Sequence, residues 1–138
     1  MNTALAEALM SEATLTVRTV RPEQRMPVPG PENAPFLREQ CFDDGHVWMG
    51  IVTTQAGAAT PWHHHGDYDT YAYVLEGEAT LEFGKNGSQH ITARADGSSH
   101  LIPKGCVHRE LNSGSTPNRI LILRVGHGPA VVPQAGPA

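Results

Sequence analysis

Lysine is scarce in this sequence, with only Lys85 and Lys104 in 138 residues, and the formal net charge is -4. No basic stripe exists to neutralise phosphates, which argues against nucleic acid as the main ligand. Also missing is any apolar run of the roughly 18 residues that a transmembrane helix needs, so no membrane-spanning helix is expected. Only two cysteines occur, Cys41 and Cys106, too far apart for a C-x-x-C pair and too few for a disulfide framework. Reduced thiols suit the cytoplasm. Met1 to Thr14 contains Glu7 and Glu12 but neither Lys nor Arg, unlike the basic start of a secretory signal. What the chain does have is 14 Gly, 11 Pro and eight His. Gly and Pro punctuate turns, so many short strands are expected rather than a few long helices.

The length suits one domain with a core of its own. Met1 to Thr14 reads as an N-terminal extension with one or two helical turns at most, residues 15–126 as a β-domain, and residues 127–138 as a flexible tail rich in Gly, Pro and Ala. Apolar and polar residues alternate from Leu15 to Val20, the pattern of a strand. Arg21 to Pro35 holds five prolines and no periodicity, the mark of an irregular surface connection. Strands are then expected at Phe36 to Phe42, Val47 to Thr54, Trp62 to His65, Thr70 to Leu75, Ala79 to Phe83, Gln89 to Ala93, His100 to Ile102, Val107 to Leu111 and Arg119 to Val125. Gly84 to Gly87 turns one pair into a hairpin. So many short strands with regular turns indicate an all-β sandwich or barrel.

The histidines carry the chemistry. In Trp62-His63-His64-His65, side chains two apart share a strand face, so His63 and His65 point together while His64 points away. Two imidazoles on one face are ready ligands for Fe, Mn, Ni, Cu or Zn. Further on, Pro103 and Gly105 make a tight turn, and His108 enters the strand behind it.

These two stretches resemble the cupin superfamily, whose motifs are written G-x5-H-x-H-x3–4-E-x6-G and G-x5-P-x-G-x2-H-x3-N. Gly97, Pro103, Gly105, His108 and Asn112 match the second motif at every fixed position. Gly57, His63, His65 and Gly77 match the first. The resemblance implies a jelly-roll β-barrel with one divalent metal held by His63, His65 and His108. Many cupins dimerise, which implies a homodimer, and the Leu15 to Val20 strand could pair with a neighbouring subunit. One position departs from the pattern. Counting back from Gly77 puts Thr70 where the family carries Glu. Asp69, the neighbour, reaches the metal only if the strand bulges. Alternation favours Thr70, Ala72 and Val74 on the inward face, with Thr70 bonding a metal-bound water and Tyr71 and Tyr73 packed on the other side.

Without the carboxylate, three neutral imidazoles leave the divalent charge uncompensated and favour an anionic ligand. The ligand spacing is similar to that of small β-diketone-cleaving dioxygenases with a three-histidine iron site. That resemblance implies an Fe(II) dioxygenase acting on a small chelating enolate, oxo-acid or phenolic compound, with no dedicated acid or base. An oxygen-independent isomerase, lyase or decarboxylase using Mn, Ni or Zn stays open, as does a barrel that binds a small molecule without turnover. His46, His64, His90, His100 and His127 lack ligand spacing and read as ordinary polar positions. Cys106 reads as a small hydrophobe, and Arg38 and Arg109 as surface groups or anchors for a substrate carboxylate.

Overall fold

The computed structural model describes residues 15–28 and 35–137. The expected helical turns of Met1 to Thr14 lie outside these residues. Eleven strands form two antiparallel sheets: β1 (Met26–Pro27), β2 (Phe36–Asp43), β3 (Val47–Thr54), β4 (His63–His64), β5 (Asp69–Glu76), β6 (Glu78–Phe83), β7 (Gln89–Arg94), β8 (Ser99–Ile102), β9 (His108–Leu111), β10 (Asn118–Val125) and β11 (Val132–Pro133). One sheet runs β1-β2-β3-β10-β5-β8 and the other β11-β4-β9-β6-β7. This is the double-stranded β-helix of a jelly roll, as expected. No helix among the described residues is long and apolar enough to cross a membrane.

Alternation in β5 explains how the sheets enclose a core. Thr70, Ala72 and Val74 are buried, whereas Tyr71 and Tyr73 stay more than 40% exposed on the outer face. Those tyrosines therefore do not pack as expected. Val52, Ala72, Val74, Ala93, Ile120 and Ile122 pack from facing strands into one cluster. Burial of such side chains supplies the main drive to fold, about 1.5–3 kcal/mol for each fully buried Val or Ile.

Three expectations about the chain's margins are corrected. No strand forms over Leu15 to Val20; Leu15 and Val17 are 82% and 91% exposed. Alternation cannot make a strand without a partner edge, and the free edge of β2 is taken by Met26 and Pro27 instead. That short pairing falls inside the proline-rich stretch read as irregular. Beyond Gly126, Val132 and Pro133 pair with His64 and His63. Within the stretch read as a tail, Val132 and Pro133 thus form a two-residue strand of the second sheet, an apolar Val131-Val132 step hidden by its Gly- and Pro-rich surroundings.

The motif turns have local causes. Gly105 sits at φ +74° in the turn closed by the Cys106 N–H donating to the Pro103 carbonyl (3.1 Å), a conformation that suits glycine. Asn112 is buried and acts as a clasp. Its amide donates to the carbonyls of Thr54 (3.0 Å) and Thr116 (2.8 Å), and its side-chain oxygen accepts from the Gly114 N–H (3.1 Å).

Candidate metal centre

Strand register brings the histidines together. His63 on β4 lies directly across from His108 on β9. His65 follows two residues later with its ring turned the same way, so three rings meet with centroids 4.4, 4.9 and 5.0 Å apart. All three are buried. Glu110 joins them, two residues beyond His108 on the same face of β9. One ligating atom from each of His63, His65, His108 and Glu110 lies within 4.8 Å of the others.

Backbone carbonyls fix which nitrogen faces inward. The Nδ1–H of His63 donates to the Pro61 carbonyl (2.8 Å), that of His65 to Ala130 (2.7 Å), and that of His108 to Cys106 (2.9 Å). A carbonyl only accepts, so each Nδ1 keeps the proton and each neutral ring turns a lone pair on Nε2 toward the centre. The Nε2 atoms of His65 and His108 are buried and have no hydrogen-bond partner. The Nε2 of His108 stands 3.6 Å from a Glu110 carboxylate oxygen. Lone pairs facing a carboxylate in a sheltered space call for a positive charge between them. A divalent cation with nitrogen and oxygen ligands fits that demand, and the carbonyl bonds are the outer shell that orients metal-binding imidazoles.

The electrostatics agree. Burial holds the His63 ring below the ordinary histidine range and brings His65 down to about 4, so both rings are neutral near pH 7. Burial pushes the Glu110 carboxyl up, but wherever the neighbouring rings carry a second proton their charge, that of His108 foremost, outweighs this and holds it at about 2. The carboxylate is therefore ionised, which ligation requires.

Glu110 is the residue that sequence reasoning missed. The first motif offers no carboxylate at its usual place, yet the same alternation that pairs His63 with His65 pairs His108 with Glu110. The expectation of three imidazoles facing an uncompensated dication is corrected accordingly. Asp69 is not a member of the cluster; its carboxylate accepts from the Lys104 N–H (3.0 Å). Thr70 does face inward, with a buried hydroxyl that has no partner. Arg38 lines the same cavity, whereas Arg109 binds Glu82 (2.7 Å) and lies over the Trp62 ring. His100 is more than a surface polar group: it is buried, and its Nε2–H donates to the Ala79 carbonyl (3.1 Å). His46, His90 and His127 are exposed. Cys106 stays outside the cluster, and burial pushes its thiol up.

The cavity beside the cluster is small, about 20 Å³, and is lined by Arg38, His63, His65, Thr70, Glu110 and Arg124 among others. An apolar cleft of about 390 Å³ reaches His108 past Phe83, Ile91, Leu101 and Pro103.

Residues 50–124, more than half of the sequence, match the family model described as "Cupin domain". The chain belongs to the cupin family. Solved cupin-fold structures agree on the architecture. A double-stranded β-helix protein from Klebsiella pneumoniae shares 19% identity, with 75% of this chain and 88% of that one covered at a TM-score of 0.64. KdgF from Halomonas sp. shares 14%, with 80% and 96% covered at 0.67. The S161A mutant of oxalate decarboxylase OxdC from Bacillus subtilis shares 19%, with 77% and 30% covered at 0.64. In sequence, the uncharacterized protein YdbB of Bacillus subtilis (strain 168) is 46% identical over 48 residues, 35% of this cupin. The match spans 40% of YdbB's own length.

Proposed function

We propose that this cupin is a metal-dependent enzyme, in the first instance an Fe(II) dioxygenase, acting on a small chelating enolate, oxo-acid or phenolic compound. One observation carries the reading: three tautomer-locked imidazoles and an ionised carboxylate aimed at a single point inside the barrel. An ion bound there would supply Lewis acidity and, as Fe(II), the redox chemistry that dioxygen needs. Four protein ligands leave an octahedral ion about two open positions. The chain's own part is to hold the donors rigidly, exclude bulk water with Val52 and Ile122, and offer the Thr70 hydroxyl as a hydrogen-bond donor. Oxygen uptake by iron-loaded protein over β-diketones, 2-oxo acids and phenols tests this, with substrate-dependent consumption expected. No uptake across the panel overturns the dioxygenase.

Glu110 favours a second reading. A carboxylate 3.6 Å from a ring nitrogen can move a proton as well as hold an ion, which suits an isomerase, lyase or decarboxylase that needs no oxygen. Similarity to an oxalate decarboxylase, one form of which is described with Mn(II) centres, lends this some weight. Turnover that survives under nitrogen with Mn, Ni or Zn would select it. Binding without product under either atmosphere would leave a small-molecule-binding barrel.

A further inference from the structure

The metal ligands do not use every polar group in their cavity. Arg124 on β10 lies between Trp48 of β3 and Thr70 of β5, its cross-strand neighbours. Its guanidinium sits 4.9 Å from the centre of the Trp48 ring, and the Trp48 indole N–H donates to the Gln40 side chain (3.0 Å), which fixes that platform. The Nε–H of Arg124 is nevertheless buried without an acceptor, and so is the Thr70 hydroxyl beside it. Arg38, inward-facing on β2, lines the same cavity. Two buried donors lacking partners are costly unless something accepts from them.

Charge points the same way. Glu110 cancels one positive charge, but two guanidinium groups and a divalent ion would together bring four. Their repulsion in a sheltered space is relieved only by an added anion. Neither arginine appears in an ion pair among the described residues. Room is limited as well: the cavity of about 20 Å³ exceeds only slightly the ~10–15 Å³ that one water needs. A single carboxylate-sized group fits that space better than a bulky one.

We propose that Arg124, Arg38 and Thr70 form an oxyanion subsite beside the metal ligands, and that the molecule acted on is a small carboxylic acid held there by its carboxylate. This rests on reading the cluster as a metal-dependent active site, and it narrows the substrate to compounds carrying an ionised acid group. Guanidinium is suited to the task because its planar fork matches a carboxylate with two parallel hydrogen bonds.

The test compares pyruvate with pyruvamide, which has nearly the same shape and no charge, by calorimetric titration of zinc-loaded protein. Wild type is expected to bind pyruvate at least tenfold more tightly. In Arg124→Met that preference should shrink by about tenfold or more, with pyruvamide affinity changed less than twofold and zinc stoichiometry unchanged. Arg38→Met should lose less, and Arg124→Lys should keep part of the preference, which separates lost charge from lost packing. The titrations are repeated without metal, where pyruvate should still be preferred, though bound more weakly. Zinc that fails to bind wild type overturns the metal centre, and the metal-free titrations then decide the subsite alone. Equal or undetectable binding of the two probes, or an Arg124→Met protein that keeps the wild-type preference, overturns the subsite.

Discussion

Acidifying the metal-free protein between pH 7 and pH 5 should destabilise it, and His65 sets the size of the effect. An unfolded imidazole takes up its proton near pH 6.5, whereas burial brings His65 in the folded barrel down to about 4. Between those values the unfolded state binds more protons, so stability falls as pH falls through this window. For a shift of this size, linkage gives a loss of roughly 2 kcal/mol from pH 7 to pH 5, and about 3 kcal/mol once both states are protonated. His63, also lowered by burial, adds to the loss. Glu110 does not enter until lower pH, because its contribution is present above the ordinary 4.5 and is lost only on the way down to about 2. Urea denaturation at pH 7, 6 and 5, with metal removed, measures the slope. His65→Gln, which has no group titrating there, should flatten it by most of that ~2 kcal/mol. A wild-type midpoint that does not move over this range, or an equal slope in the variant, would refute the reasoning.

His108→Ala should leave the barrel folded by circular dichroism while retained metal, measured by elemental analysis, drops from about one ion per chain to a small fraction. Truncation after Gly126 removes the Ala130 carbonyl that orients His65, and metal affinity should fall on the order of 10–100-fold, the usual cost of an outer-shell partner. Glu110→Gln, titrated with zinc beside wild type, should cost at least as much, since a charged ligand is lost and not just its support. Asn112→Ala strips hydrogen bonds from three backbone groups and should lower unfolding free energy by about 2–3 kcal/mol in urea, with zinc affinity changed little in the folded protein.

Much of the barrel was legible because its signals are local. Alternation along Asp69 to Glu76, turn glycines and the spacing of Gly97, Pro103, Gly105, His108 and Asn112 report on neighbours a few residues apart. His63, His65 and His108 were legible for the same reason. What escaped was set by contacts between distant residues. Whether Leu15 to Val20 joins a sheet depends on which edge is free, and whether Val132 does depends on β4 lying beside it. Glu110 escaped differently: it stands two residues from His108 on the same strand face, but the family pattern puts its carboxylate behind the first histidine pair, where this chain has Thr70. Arg124 shows the limit most plainly. A cation ending a hydrophobic strand looks like a solvated residue until Trp48 and Thr70 are placed on either side of it.

The bond from His65 to Ala130 joins residues 65 positions apart. Whatever frees β11 from β4 therefore also lets the His65 ring rotate, so closing this edge of the sheet and preparing the ligand are one event.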